Sequence, residues 1–223
     1  MLAMLDRPPR PMTAPGVHET ALSLLRRHLG PPARLADLAA GEGAMSLQLQ
    51  QAGYQVVAID RDPTVFRVPG VPLIASDLAG PFAAQLGPGS FDGCVALEII
   101  EHLDSPFRFL RECRALLRPG GLLVLSSPNV ESIASRLLFL WNGRLRFFTA
   151  QEQHHISPVF GWLLRRGLEE AGLALLETTY NRHAIDCGRS PKARAAALLG
   201  RALVPLVRGD KRGEIRLVAA RAI

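Results

Sequence analysis

Cysteine, lysine and long apolar runs are all scarce in this chain of 223 residues. Its three cysteines, Cys94, Cys113 and Cys187, are odd in number and lack the paired spacing of a zinc site, which argues against a disulfide framework. No run approaches the roughly 20 apolar residues that a membrane-spanning helix needs, and the first ten residues lack the apolar stretch of a secretion signal. These absences predict a single soluble domain in the cytoplasm.

Positive charge comes almost entirely from arginine and is concentrated towards the C-terminus. The chain has 24 arginines and two lysines against 20 acidic residues, and residues 182–221 hold ten basic side chains but only three acidic ones. A basic surface of this kind attracts nucleic acid, acidic small molecules or anionic lipid. An ordinary solvated surface is the alternative interpretation, and we favour it.

Two apolar segments, at 34–38 and 54–60, enclose a turn made of small residues at 39–43. Asp37 lies two positions before this turn, and Asp60 ends the second segment. Small residues let the backbone approach a ligand at a helix N-terminus. An acidic residue after the second strand of a doubly wound sheet accepts hydrogen bonds from ribose hydroxyls. The turn lacks the G-x-G-x-x-G spacing of a dinucleotide site, so the pattern predicts a different adenosyl cofactor.

Two later segments, 90–103 and 117–129, carry two further sequence motifs. With the first segment they resemble, in order and spacing, the motifs of class I S-adenosylmethionine-dependent methyltransferases over roughly residues 17–181, although Ala39 replaces the first glycine of the turn. The resemblance implies an α/β, Rossmann-like seven-stranded fold: a mostly parallel twisted sheet with an antiparallel last strand and helices on both faces. Alternating strand and helix patterns agree with it. We predict strands near 34–38, 54–60, 72–75, 91–97, 121–127, 173–181 and 214–222.

Composition along the chain suggests how this domain is organised. Four prolines within the first sixteen residues predict a flexible N-terminal arm over 1–16, followed by one domain over 17–223. Relative to simpler members, two insertions are expected: one on the acceptor side at about 131–160, and a basic helical one at about 190–210.

The family resemblance also implies which residues bind S-adenosylmethionine. Asp77 follows the short third strand and is expected to contact the adenine amino group, although an aspartate there can instead cap the following helix. The cofactor-binding residues expected from the resemblance are Asp37, Ala39, Gly41, Gly43, Asp60, Arg61, Asp77, Leu78 and Leu97.

Carboxylates and imidazoles gather after the fourth predicted strand. Glu98, Glu101 and His102 share one face of a helical turn, and His155 follows in the acceptor-side insertion. Such a cluster can hold Mg²⁺, Mn²⁺ or Zn²⁺, and it resembles the metal-binding set of ubiquinone-biosynthesis O-methyltransferases and of small-RNA 2′-O-methyltransferases. The metal-free alternative makes His102 or His155 a general base. Candidate catalytic residues are His155, His102 and Glu98, and candidate metal ligands are Glu98, Glu101, His102 and His155.

The acceptor is the least determined part of the prediction. Phe139, Trp141, Phe147 and Phe148 either line a pocket for an aromatic or lipid-like acceptor or bury one helix face on the domain. We therefore expect methyl transfer to a hydroxyl oxygen of a small or lipid-like metabolite in a bacterial enzyme. The alternatives are an RNA 2′-O-methyltransferase, which the absence of an appended RNA-binding module disfavours, and a non-catalytic binding or assembly protein.

The segment 191–208 is the last feature of note. Arg194, Arg201 and Arg208 recur every seven residues among apolar neighbours, a basic amphipathic pattern that can lie on the anionic inner face of a membrane. Packing over the sheet or a homodimer contact is the interpretation we favour. Both a monomer and a homodimer remain open.

Overall fold

The computed structural model describes residues 7–181 and 213–223, with the isolated positions 198, 202, 205, 208 and 209 between them. Most of the basic insertion predicted at 190–210, and Cys187 with it, lies outside the described residues. The strands are β1 Arg34–Leu38, β2 Gln55–Asp60, β3 Leu73–Ala75, β4 Phe91–Ala96, β5 Leu117–Pro128, β6 Leu173–Tyr180 and β7 Ile215–Ala222. The helices are α1 Val17–His28, α2 Ala44–Gln51, α3 Ala83–Leu86, α4 Pro106–Leu116, α5 Ile133–Asn142 and α6 Gly161–Glu170, and a 3₁₀ turn spans Ile100–His102.

The seven strands form one sheet in the order β3-β2-β1-β4-β5-β7-β6. Strands β1 to β5 pair in parallel, whereas β7 runs antiparallel to both β5 and β6. The predicted fold is therefore confirmed, including its antiparallel last strand. The one marked difference is β5, which begins at Leu117 because this residue already pairs with Phe91 before the register shifts.

Alternating side chains of the central strands supply two apolar layers, one on each face of the sheet. Leu35 of β1 packs with α1 and α2 on one face, while Ala36 and Leu38 pack with α3, α4 and α6 on the other. Burial on both faces explains why these strands read as continuous apolar runs. None of the described helices is both long enough and apolar enough to cross a bilayer.

The order of the strands determines where a ligand can bind. The chain runs outward in one direction from β1 to β2 and β3, and in the other from β4 to β5, so the strand order reverses between β1 and β4. In open α/β sheets, ligands bind beyond the carboxyl ends of the strands at such a switch point. The turn at 39–43 and the acidic turn at 98–102 both lie at this edge.

Candidate active site

A cavity of about 990 Å³ opens at the carboxyl ends of β1, β2 and β4, at the upper end of the size range of small-molecule sites. Residues from both predicted sets line it, so the cofactor region and the acceptor region are continuous. The predicted residues that line the cavity are Asp37, Ala39, Gly41, Asp60, Arg61, Asp77, Leu78, Leu97, Glu98, His102 and His155.

The turn after β1 has the unusual backbone that a close ligand approach requires. Ala39, Gly41 and Gly43 all have positive φ angles, of 61°, 54° and 93°, and Ala39 is the only one of them with a side chain. Gly43 does not line the cavity. A β-carbon there would lie 2.5 Å from Val68 Cγ2 and 2.7 Å from Phe66 Cε2, so this glycine permits loop packing at the start of α2.

Asp60 braces the same turn from the end of β2. Its Oδ2 accepts a hydrogen bond from the Gly41 amide at 2.8 Å, and its Oδ1 accepts one from the Asp62 amide at 2.9 Å. These contacts fix the carboxylate at the edge of the cavity.

Asp37 lies buried beneath the turn. The Ser46 hydroxyl donates a hydrogen bond to its Oδ2 at 2.5 Å. Burial raises the pKa of Asp37 to about 7, although the bond from Ser46 opposes this rise. Burial therefore makes ionised Asp37 costly, and a cation bound above it would relieve that cost.

This burial predicts a pH-dependent stability difference for Asp37→Asn. Because the folded-state pKa exceeds the ordinary value of 3.8, the contribution of Asp37 to stability is complete below about pH 4 and lost as the pH rises through about 7. We expect the unfolding free energy of the variant, relative to that of the native protein, to be higher at pH 8 than at pH 4 by about 2–4 kcal/mol. One pKa unit corresponds to about 1.4 kcal/mol. If the unfolding free energies of the variant and the native protein differed by the same amount at every pH, the raised pKa of Asp37 would be contradicted.

Glu98 occupies a strained position immediately after β4. Its φ angle is 49°, its amide donates to Ser126 Oγ at 2.8 Å, and its Oε2 accepts from the Ala14 amide at 2.9 Å. Burial raises the pKa of Glu98. Unfavourable backbone conformations of this kind cluster at functional sites.

Glu101 is buried just behind the cavity wall. Within the described part of the chain, neither of its carboxylate oxygens has a hydrogen-bond partner, and burial raises its pKa to about 8. Its backbone carbonyl accepts hydrogen bonds from the amides of Ile156 and Ser157 at 2.9 and 3.0 Å. This backbone contact holds the loop that carries His155 against the turn at 98–102.

In both imidazoles of the site, Nδ1 faces a backbone carbonyl. His102 Nδ1 lies 2.9 Å from the carbonyl oxygen of His154, and His155 Nδ1 lies 2.8 Å from that of Phe147. A carbonyl can only accept, so Nδ1 carries the proton in both rings and each neutral ring keeps its lone pair on Nε2. The ring centroids are 4.7 Å apart, and burial lowers the pKa of His102.

Three of the four predicted metal ligands come together. Ligand atoms of Glu101, His102 and His155 all lie within 4.8 Å of one another. Among the described residues, these three side chains form the cluster that could hold a metal ion. Glu98 is not part of this group; its Oε2 accepts a hydrogen bond from the Ala14 amide of the N-terminal arm.

His18, at the start of α1, lines the cavity but was not predicted from the sequence. It is 6% exposed, and its Nδ1 has no hydrogen-bond partner among the described residues. Burial lowers its pKa. A lone histidine on a helix that packs on the core gives no sequence signal of its own; only its position relative to the cavity reveals it.

The described part of the N-terminal arm also reaches the site. Arg7 forms two hydrogen bonds with the carboxylate of Glu42, at 2.8 and 2.9 Å, and the Arg10 amide donates to the same group at 3.0 Å. These contacts lower the pKa of Glu42 to about 2. Met12 and Ala14 line the cavity between Glu42 and Glu98, so the arm crosses over its opening.

The aromatic residues of the insertion are split between two environments. Phe147 lines the cavity, and the Phe148 ring lies 5.5 Å from that of His155. Phe139 and Trp141 are 57% and 88% exposed. These two residues were expected either to line the acceptor pocket or to bury one helix face on the domain, and they do neither. The reason is that α5 projects away from the domain before it reaches them.

Comparison with known proteins agrees with this geometry. A model described as "Methyltransferase domain" matches residues 36–125. The ubiquinone biosynthesis O-methyltransferase of Xanthomonas axonopodis pv. citri (strain 306) is 30% identical over 193 residues, covering 79% of this chain and 80% of that protein. The protein of the same name from Xanthomonas campestris pv. campestris (strain B100) is 32% identical over 146 residues, or 60% of this chain, and only 61% of that relative's length is spanned.

A solved structure extends the likeness over most of the fold. The S-adenosylmethionine-dependent methyltransferase from Archaeoglobus fulgidus superposes with a TM-score of 0.63 at 19% identity, covering 92% of this chain and 94% of that one. At this identity the match concerns the fold alone. The relative from Xanthomonas axonopodis, matched over four fifths of both chains, shows that the chain belongs to the S-adenosylmethionine-dependent methyltransferase family.

Proposed function

We propose that this protein transfers the methyl group of S-adenosylmethionine to a hydroxyl oxygen of a small or lipid-like metabolite. The observation that carries the proposal is the continuous cavity, which joins the turn braced by Asp60 to the His102 and His155 pair. The cofactor already makes its methyl group electrophilic, so the protein must align the acceptor with it and remove the hydroxyl proton.

The cofactor is assigned to the half of the cavity around β1 and β2. Asp60 would accept the ribose hydroxyls, and Asp37 would lie below the cationic end of the ligand. Asp77 accepts a hydrogen bond from the Ala79 amide through Oδ1, which leaves Oδ2 for the adenine amino group, while Leu78 and Leu97 supply apolar walls. His18, whose Nδ1 has no hydrogen-bond partner among the described residues, is a further candidate for contact with the methionine portion.

The acceptor is assigned to the half lined by His102, Phe147 and His155. The lone pairs on both Nε2 atoms make either ring a suitable proton acceptor. The similarity to the Xanthomonas proteins named ubiquinone biosynthesis O-methyltransferase supports an oxygen acceptor. The test is a screen of bacterial metabolites with labelled cofactor, in which a labelled methyl ether is expected; label found only on nitrogen or on RNA would replace this proposal.

A divalent cation fits the donor set at the acceptor end. Glu101 provides a buried carboxylate without a partner in the described chain, and a ring nitrogen of each of His102 and His155 lies within 4.8 Å of it. Glu101, His102 and His155 would hold the ion, which when bound would lower the pKa of an acceptor hydroxyl. Without it, the same imidazoles act as general bases.

Metal removal separates these two versions. We expect exhaustive chelation to lower the methyl-transfer rate by about 10²-fold or more, the usual scale for loss of a catalytic group, and added Mg²⁺, Mn²⁺ or Zn²⁺ to restore it. Direct metal analysis should find one ion per native chain and less in Glu101→Gln, which keeps the shape of the side chain. Full activity after chelation, together with full activity of Glu101→Gln, would leave only the general-base version.

Further details remain predictions. Membrane contact through 191–208 and RNA binding by the C-terminal arginines both depend on residues that lie mostly outside the described ranges. The choice between a monomer and a homodimer is likewise a matter for solution measurements.

A further inference from the structure

The carbonyl that faces His155 belongs to a residue with an unfavourable backbone. Phe147 has a φ angle of 70°, in the left-handed region that bulky side chains rarely adopt. It lies in a tight turn in which the Phe148 amide donates to the Leu145 carbonyl at 3.2 Å, and its own carbonyl oxygen lies 2.8 Å from His155 Nδ1. Turns with a positive φ at the third position favour glycine or asparagine. Phenylalanine keeps this conformation only where its surroundings hold it.

Arg146, the residue before Phe147, is held from two sides. Its guanidinium forms an ion pair with Glu214, the residue before β7, and its amide donates to Ser135 Oγ at 3.1 Å. The same guanidinium lies over the Phe147 ring, with Cζ 5.1 Å from the ring centroid, within the range of a cation–π contact. These contacts tie the turn to the base of α5 and to the sheet.

Both members of this ion pair are largely covered. The side chains of Arg146 and Glu214 are 22% and 16% exposed, so salt and solvent screen the pair less than they screen a fully exposed one. Glu214 is itself anchored, because its carbonyl accepts from the Asn129 amide at 2.8 Å, directly after β5. The ion pair therefore fastens the turn at 145–148 to the adjacent strands β5 and β7.

We propose that Arg146 and Glu214 are positioning residues for His155. By fixing the turn they keep the Phe147 carbonyl aimed at Nδ1, which holds the proton there and leaves the Nε2 lone pair for the acceptor. The loop is also held by the Glu101 carbonyl, but that contact does not determine which ring nitrogen carries the proton. The inference rests on the proposed function for the role of the imidazole, whereas the orientation of the ring is independent of it.

The protonated nitrogen of His155 can be measured directly. In the full-length chain with isotopically labelled histidine, long-range nitrogen–proton correlation spectra distinguish a proton on Nδ1 from one on Nε2. The signal that disappears in His155→Ala identifies this ring among the six histidines. At about pH 8.5, where an ordinary imidazole is neutral, the native protein should show the Nδ1 form alone. Arg146→Gln and Glu214→Gln should each show a mixture of the two forms.

Kinetics provide a second measurement, with the acceptor from the labelled-cofactor screen. We expect kcat to fall about 10- to 100-fold in Arg146→Gln and in Glu214→Gln, the usual scale for loss of a group that orients a functional histidine. KM for S-adenosylmethionine should stay within about twofold, because the cofactor half is untouched. The double variant should lose no more than either single one, since both remove the same ion pair. Arg146→Lys keeps a cation beside Glu214 and should recover most of the rate.

Arg144→Gln is the matched control. Arg144 is exposed and lies two positions from Arg146, so its replacement should leave both the His155 spectrum and kcat unchanged; thermal unfolding establishes that each variant is folded. Folded Arg146→Gln and Glu214→Gln with the native His155 spectrum would overturn the proposal, as would an equal loss of rate in Arg144→Gln. Failure of the proposed function has a different signature, because the spectra would change as expected while the native protein methylated no hydroxyl.

Discussion

Replacing Asp60 with alanine should reduce the affinity for S-adenosylhomocysteine by at least about 100-fold, because hydrogen bonds to a charged group are worth about 1.5–3 kcal/mol each. The loss has two sources. The ribose hydroxyls would lose their acceptor, and the Gly41 amide, now bound to Asp60 Oδ2 at 2.8 Å, would no longer hold the turn. Calorimetric titration of the folded variant measures the change.

Asp62 provides the control for this variant. It lies two residues further on, is exposed, and its carboxylate accepts hydrogen bonds only from Thr64 among the described residues. Asp62→Ala should bind S-adenosylhomocysteine within about twofold of the native protein, since exposed polar contacts contribute little. Equal affinities for Asp60→Ala and the native chain would remove Asp60 from the cofactor site.

Replacing His155 with alanine should lower the methyl-transfer rate about 10²- to 10⁴-fold, the range expected when a general base or its equivalent is removed. The same result is expected whether His155 takes the proton itself or holds a metal. Affinity for S-adenosylhomocysteine should stay within about threefold, because the imidazole lies in the acceptor half of the cavity and the variant leaves the turn at 39–43 untouched. The rate is measured with the acceptor found by the labelled-cofactor screen.

His154 is the natural comparison for His155. Its side chain is exposed, and it is outside the group formed by Glu101, His102 and His155. Its contact with His102 is made by the backbone carbonyl, which alanine retains. His154→Ala should therefore keep most of the activity, and a loss as large as that of His155→Ala would show that the loop, not the imidazole, determines the rate.

Local sequence patterns predicted most of the strands, whereas the antiparallel last strand and the cofactor-binding residues came from the family resemblance. Buried parallel strands leave continuous apolar runs, and the small residues at 39–43 with Asp60 mark a turn whose backbone is constrained. The pairing of Glu101 with His155 was accessible only through a family resemblance. The two residues are far apart in the sequence, and the carbonyl of Glu101 brings their loops together.

Other features depend on packing that no local pattern encodes. His18 faces the cavity only because α1 begins beside β5 and β7, and the arm at 7–16 crosses the opening because Arg7 reaches Glu42. Phe139 and Trp141 are residue types that usually lie in a core. They are exposed because α5 leaves the domain after Ser135. Amphipathic periodicity identifies which residues are apolar; it does not identify what covers them.

Binding of S-adenosylhomocysteine to the native protein, measured by isothermal titration calorimetry, is the most direct test of the account. We predict one molecule per chain with a dissociation constant between about 1 µM and 1 mM, the range usual for metabolite sites. Absence of binding by the folded protein at ligand concentrations of about 1 mM would contradict the assignment of the cavity to this cofactor.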